Sequence, residues 1–140
     1  MTKIKVKIIS GFRKTSRYGV RLHPVTKKVT FHNGLDFVGS NLKLLAIADG
    51  EIIESGFDEL SGNYIKVRYK IGDDVYAFSY CHLKALNYVE TLKIVASIPI
   101  NKGEWITVMG SSGRSTAVHC HLTVKKNGVV VDPEKSFEFI

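Results

Sequence analysis

The chain has 140 residues and a mass of 15.6 kDa, with 44% hydrophobic and 24% charged residues. This composition is typical of a globular protein and argues against disorder and against a coiled coil. No apolar run approaches the roughly 18–20 residues of a membrane span. We therefore predict one domain over residues 1–140.

The first part of the chain is strongly basic. Nine Lys and Arg residues and no acidic residue precede Asp36, and the whole chain has a formal net charge of +7. Such a stretch either attracts anionic polymers or forms a solvated surface. No zinc finger and no interleaved aromatic residues accompany it, so nucleic acid is not the predicted partner. Residues 1–7 alternate charged and apolar side chains, which is not the pattern of a secretory signal.

Short segments with the period-two alternation of strands follow one another along the chain, separated by glycines. They predict an all-β fold: an antiparallel sheet, sandwich or barrel. For residues 83–95 the sequence is compatible with either a short helix or an irregular loop. The predicted strands are residues 3–8, 35–38, 44–48, 51–54, 64–69, 75–80, 105–109 and 118–125.

Two histidines share one face of the last of these strands, because side chains two residues apart point the same way. His119 and His121 lie on this face with Thr123 and Lys125. On its own such a pair is a weak indication of a metal site. The opposite, apolar face is predicted to join the core and consists of Val118, Cys120, Leu122 and Val124.

A second cluster combines an imidazole and a carboxylate. His32 and Asp36 are separated by Asn33-Gly34, a turn signal that makes a helix unlikely here. One interpretation is that His32 and Asp36 form a hydrogen-bonded turn and bind no metal. Taken with the other imidazoles, the pair also suits Zn²⁺, whose catalytic sites use three protein ligands and leave one position open.

Several ordered motifs resemble the lysostaphin-type (LytM-like) zinc endopeptidases. The likeness runs from about Gly11 to Pro133. Its motifs are residues 18–26 (YGVRLHPVT) with 31–37 (FHNGLDF), 61–67 (SGNYIKV), 79–83 (SYCHL), the glycine-rich 110–116 (GSSGRST) before His119-Cys120-His121, and 127–133 (NGVVVDP).

The resemblance implies a small antiparallel β fold with an open groove and one Zn²⁺ held by His32, Asp36 and His121. It implies catalytic roles for His82 and His119, and hydrolysis of cross-links or stem peptides of bacterial peptidoglycan. Tyr18, Arg21 and Asn63 are further candidates for contacts with the substrate. Anionic wall polymers are expected to attract the basic surface. Lacking an export signal, the chain is expected to reach the wall as a bacteriophage virion or lysis protein, or to be a domain excised from a longer protein.

Two other functions stay open. One is an inactive wall-binding or activator domain of the same fold, although such domains typically lose site residues. The other is a histidine phosphocarrier of similar β fold, which uses two neighbouring imidazoles but needs neither metal nor Asp36.

The remaining residues of interest lie next to these motifs. Alternation predicts that Cys81 and Cys120 both turn away from the site as buried thiols, with a disulfide as the alternative. His23 is interpreted as structural or groove-lining. Ala117 stands where the family usually has glycine, so the groove wall is expected to differ locally.

Overall fold

A computed structural model describes residues 2–85 and 87–140. These residues form fourteen strands and two one-turn helices, so the all-β prediction is confirmed. The strands of the first half are β1 (Ile4–Val6), β2 (Arg13–Ser16), β3 (Gly19–Leu22), β4 (Val29–His32), β5 (Leu35–Val38), β6 (Lys43–Leu45), β7 (Gly50–Asp58) and β8 (Gly62–Ile71). The remaining elements are β9 (Asp74–Leu83), α1 (Val89–Leu92), β10 (Ile98–Ile100), β11 (Trp105–Val108), β12 (Cys120–Lys126), β13 (Val129–Val131), α2 (Pro133–Ser136) and β14 (Phe137–Phe139).

The main sheet is antiparallel throughout. Its strand order is β10-β7-β8-β9-β12-β5-β2, and β13 pairs with β12 beside this path. Two smaller antiparallel pairs, β3 with β4 and β6 with β11, flank it. The parallel pair of β1 and β14 joins the two ends of the described chain.

The core lies against one face of this sheet because the central strands alternate as the sequence predicts. The inward side chains of β8, β9 and β12 are all buried, whereas their alternate side chains face the other way. Paired aromatic rings fill much of the core, as with Phe78 and Phe137, whose centroids lie 5.3 Å apart edge to face. The buried positions are Ile65, Val67 and Tyr69 on β8, Tyr76, Phe78 and Tyr80 on β9, and Cys120, Leu122 and Val124 on β12.

Two local predictions are settled by these elements. Residues 83–95 begin with the last residue of β9 and contain the short helix α1. Leu86 lies outside the described residues. Val118 is not on the core face: it precedes β12 and is 46% exposed, because the strand begins only at Cys120. Neither helix in the described ranges is long and apolar enough to cross a membrane.

Candidate metal centre

Three predicted ligand residues converge on the face of the sheet opposite the core. His32 ends β4, Asp36 lies on β5, and His121 on β12 is the direct cross-strand partner of Asp36. The chain bends at Gly34 between β4 and β5, and His32 Nε2 lies 3.3 Å from Asp36 Oδ2. One donor atom from each of the three residues lies within 4.8 Å of the other two.

The donors lie slightly closer together than ligands around a tetrahedral metal ion, so small side-chain shifts would accommodate one. His32 Nε2 and His121 Nδ1 lie 3.2 Å apart, and His121 Nδ1 lies 2.8 Å from Asp36 Oδ1. Ligands about 2.0–2.2 Å from zinc at tetrahedral angles lie about 3.3–3.6 Å from one another. Two nitrogens and one carboxylate oxygen are also ligands that zinc accepts in catalytic sites. The residues therefore fit zinc.

Hydrogen bonds outside the cluster orient both imidazoles. Because a carbonyl oxygen only accepts, His32 Nδ1 donates to the carbonyl of Arg17 at 2.9 Å, and Nε2 presents its lone pair to the site. His121 Nδ1 donates to Asp36 in the arrangement with its hydrogen on Nδ1. In the other tautomer the hydrogen is on Nε2, which can donate to Asn33 Oδ1 at 3.2 Å or to Thr123 Oγ1 at 3.3 Å. The Nδ1 lone pair is then free to bind a metal.

Two more imidazoles border the cluster and are held in the same way. His119 Nδ1 donates to the carbonyl of Ala117 at 2.9 Å, and His82 Nδ1 donates to the carbonyl of Ser112 at 2.8 Å. Their ring centroids lie 4.8 Å apart, and His119 Nε2 is 3.9 Å from Asp36 Oδ1. In the neutral form of each ring, Nδ1 therefore carries the hydrogen and Nε2 is a proton acceptor.

The electrostatics of the cluster favour charged Asp36 and neutral His82. Burial raises the pKa of Asp36, but the hydrogen bond from His121 and the nearby imidazoles outweigh burial, so its pKa lies below the usual value. Burial also lowers the pKa of His82, and the neighbouring His119 and His121 lower it further. A carboxylate and a neutral imidazole are the forms that metal binding and proton acceptance require.

A β-bulge places His82 at the site and overturns one prediction. His82 has a positive φ of 63°. In the β8–β9 ladder Asn63 pairs with Leu83 and Ile65 pairs with Tyr80, so β9 has one more residue than β8 between these two pairs. The extra residue breaks the alternation, so Cys81 and His82 both line the groove. The prediction that Cys81 turns away from the site is therefore wrong.

The two thiols are free, so the alternative of a disulfide is not realised. Cys120 is fully buried on the core face, as predicted. Cys81 lies directly across from His121 in the β9–β12 ladder and is 7% exposed. Burial raises the pKa of the Cys81 thiol to about 11, so the sulfur is protonated at neutral pH and is a poor metal ligand.

The loop between β11 and β12 closes one end of the groove through glycine contacts. Gly62 and Gly113 both have positive φ, and a Cβ on Gly113 would lie 2.2 Å from the Gly62 nitrogen. This close approach presses the loop against the start of β8, where Ser112 Oγ accepts from the Asn63 backbone at 3.0 Å. It thereby positions the Ser112 carbonyl that orients His82.

The groove has a volume of about 530 Å³ and contains all the clustered residues. Of the three candidates for substrate contacts, Arg21 lines it. Tyr18 packs edge-on against Phe31, with ring centroids 5.1 Å apart. The side-chain amide of Asn63 donates to the backbone carbonyls of Leu83 and Lys84 at 3.3 and 3.4 Å, which supports the bulge rather than the groove surface.

Two further observations concern His23, which lies outside the groove, and the residues that support His121. His23 is structural: its Nδ1 accepts from the backbone of Val25 and Thr26 in the β3–β4 turn. Sequence reasoning missed Asn33 and Thr123 as supports for His121. Thr123 was recognisable, because strand alternation already put it on the face of His121.

The family comparison agrees with this geometry. Residues 30–133 match the model for peptidase family M23, a range that contains the three predicted ligand residues, His82 and His119. The chain belongs to peptidase family M23. The resemblance to lysostaphin-type peptidases is thereby confirmed.

Curated proteins and solved structures are similar to most of this chain. The peptidoglycan DD-endopeptidase ShyC of Vibrio cholerae is 32% identical over 114 residues, which are 81% of this chain and 24% of ShyC. A zinc-containing peptidase from Vibrio cholerae superposes with a TM-score of 0.71 at 26% identity, covering 94% of this chain and 39% of that one. The lysostaphin catalytic domain from Staphylococcus simulans gives 0.68 at 27% identity, covering 89% and 90%. The chain spans about a quarter of the length of the curated relatives it matches.

Proposed function

We propose that residues 1–140 form a zinc-dependent endopeptidase domain that hydrolyses peptide bonds of bacterial peptidoglycan. The observation that carries this proposal is the convergence of His32 Nε2, an Asp36 carboxylate oxygen and His121 Nδ1, all within 4.8 Å of one another, in an open groove. The peptidoglycan substrate is supported by the name of ShyC, a peptidoglycan DD-endopeptidase.

The three clustered side chains, which line the groove, would hold the zinc. When bound, zinc activates a water molecule for attack and polarises the scissile carbonyl. Asp36 contributes a negative charge that the low pKa of its carboxyl maintains at neutral pH. The orienting bonds from His32 to Arg17 and from His121 to Asn33 keep both rings in place during the reaction.

His119 is the proposed general base. Its Nε2 lies beside Asp36 and carries no hydrogen in the neutral ring, because Nδ1 donates to the Ala117 carbonyl. It accepts the proton of the attacking water and later delivers it to the leaving amine. The neighbouring His82 ring, 4.8 Å away between centroids, shares this proton and stabilises the negative charge that develops on the carbonyl oxygen.

The position of Asp36 disfavours a phosphocarrier. Its carboxylate lies 2.8 Å from His121 and 3.3 Å from His32, where it would repel an incoming phosphoryl group. The inactive-domain alternative makes a different prediction, namely binding to peptidoglycan without release of amines. Localisation at the bacterial cell wall follows from the proposed substrate, and association with a phage virion stays a prediction.

The test is release of free amines from purified peptidoglycan by the zinc-loaded protein. We expect hydrolysis that a chelator abolishes and zinc restores. His119→Ala should reduce the rate by about 10²–10⁴-fold, whereas His23→Gln, outside the groove, should leave it unchanged. Fully zinc-loaded protein that leaves every peptidoglycan type intact would overturn the proposal and favour the inactive domain.

A further inference from the structure

The groove carries more positive charge than the metal cluster uses. Apart from that cluster and its histidines, its charged lining consists of three cations, Arg21, Lys66 and Arg114, and one carboxylate, Asp58. Lys66 is partly neutralised, because its Nζ lies 3.5 Å from Glu54. Within residues 2–85 and 87–140, neither arginine lies within ion-pairing distance of a carboxylate.

The two arginines lie near different histidines of the groove, Arg21 near His32 and Arg114 near His82. Arg21 is on β3, two residues from Gly19, which pairs with His32, so Arg21 and His32 share one face of the hairpin. Its Nη1 donates to Ser16 Oγ at 2.8 Å, which restrains the guanidinium. Arg114 lies two residues after Ser112, the residue whose carbonyl orients His82.

Asp58 does not neutralise Arg114. One of its carboxylate oxygens, Oδ1, accepts from the Ser61 backbone at 2.6 Å within the β7–β8 turn, and this hydrogen bond lowers its pKa. Among the residues that the structure describes, Arg114 is held through its backbone alone, whose nitrogen donates to the Leu60 carbonyl at 3.2 Å. Its guanidinium therefore remains available to a ligand in the groove.

Unpaired guanidinium groups in a substrate groove suit carboxylates, which they bind through two parallel hydrogen bonds. We propose that Arg21 and Arg114 select peptides that carry free carboxylates on both sides of the scissile bond. This inference rests on the proposed function and narrows its substrate. A cross-link between two diamino-acid stems has one such carboxylate on the carbon that bears the scissile nitrogen. It has a second on the diamino acid of the other stem, on the carbonyl side of the scissile bond, whereas the interior of a glycine bridge has none.

The experiment compares matched cross-linked peptide dimers whose diamino-acid carboxyls are either free or converted to amides. We expect wild-type protein to show a KM about a hundredfold higher for the fully amidated dimer with little change in kcat, because two charged contacts to the substrate, each worth roughly tenfold, are lost. Arg21→Gln and Arg114→Gln should each raise KM roughly tenfold for the free dimer. Arg13→Gln, an exposed arginine on β2 outside the groove, is the matched control.

Dimers amidated on one side only assign each arginine to its carboxylate. Each glutamine variant should become insensitive to amidation on one side and stay sensitive on the other, a result that a merely structural role does not produce. Arg114→Lys keeps the charge and should retain part of the discrimination. It also provides a second variant if a glutamine protein fails to fold.

The outcomes separate this inference from the proposed function. Equal kcat/KM of the wild-type protein for free and amidated dimers overturns carboxylate selection while hydrolysis stands. Absence of hydrolysis of both dimers overturns the proposed function instead. In that case calorimetric titration of the zinc-loaded protein still decides the inference: tighter binding of the free dimer supports it, and equal affinities overturn it.

Discussion

His121 lies directly across from Asp36 in the β5–β12 ladder, with its Nδ1 2.8 Å from the Asp36 Oδ1. Both backbones are fixed by strand pairing, and both side chains occupy a sheet face whose reverse side is buried core. The donors are therefore held close together by the fold itself. Because the donor side chains are already ordered, metal binding costs little conformational entropy, and we expect high affinity for the metal.

Removal of a ligand and removal of the general base should have different effects on metal content. We expect His32→Ala to lose the zinc, because two donors remain, and His119→Ala to keep it at one ion per chain. The measurement is zinc stoichiometry after dialysis, followed by elemental analysis. Equal zinc retention by the two variants would contradict the assignment of roles.

The side chains behind His121 should tune zinc affinity without binding the ion. Asn33→Ala combined with Thr123→Val removes both acceptors for the His121 Nε2 hydrogen. We expect the zinc dissociation constant to rise by about 10–100-fold, measured by competition with a chromogenic chelator. Lys125→Ala, on the same strand but beyond the groove, is the control and should bind zinc as the wild type does.

Alternation and turn signals predicted much of the fold and part of the site. The buried face formed by Cys120, Leu122 and Val124 follows directly from period two, and the Asn33-Gly34 turn joins β4 to β5. The sequence pattern could not reveal the bulge at His82, because a positive φ is uncommon at any non-glycine residue and a histidine alone does not predict one. For this reason the orientation of Cys81 was predicted wrongly.

Long-range placement was equally beyond sequence reasoning. Arg114 reaches the groove only because Gly113 packs against Gly62, some fifty residues earlier in the chain. The roles of the Arg17 and Ser112 carbonyls depend on backbone geometry and not on side-chain identity. Resemblance to the family suggested the histidines but not these backbone partners.

Gly34 should be essential for the geometry of the metal centre. A Cβ at this position would lie 2.4 Å from the Leu122 carbonyl oxygen and 2.8 Å from His121 Cε1. Gly34→Ala should therefore displace the His121 ring and destabilise the fold by about 1–3 kcal/mol. Zinc affinity and chemical denaturation measure the two effects.

Gly103→Ala is the control for Gly34→Ala. Its φ of 84° strains any side chain, but a Cβ there meets open space. We expect a loss of stability with zinc affinity unchanged. A normal zinc affinity in Gly34→Ala would contradict the steric argument.

The depressed pKa of His82 predicts a particular dependence of stability on pH. In the unfolded chain the ring titrates near 6.5, whereas in the folded chain burial lowers its pKa. Below the unfolded value the unfolded state binds the additional proton, so stability is lost as the pH falls from about 6.5 through the folded pKa. Denaturation in chelator at pH 7.5 and pH 5 should show a smaller loss for His82→Gln than for wild type.

Cys81 provides the last test, because its position at the groove invites a role that its chemistry opposes. The thiol faces His121 across β9 and β12, yet burial raises its pKa to about 11, and only a small fraction is thiolate at neutral pH. We expect Cys81→Ser to keep one zinc per chain and to hydrolyse the substrate at a rate within about threefold of wild type, since serine occupies nearly the same volume. The wild-type thiol should also react with a maleimide far more slowly at pH 7.5 than an unstructured cysteine peptide. Loss of zinc in Cys81→Ser, or rapid labelling that zinc prevents, would show instead that the sulfur is a fourth ligand, and the open coordination position required for hydrolysis would then be filled.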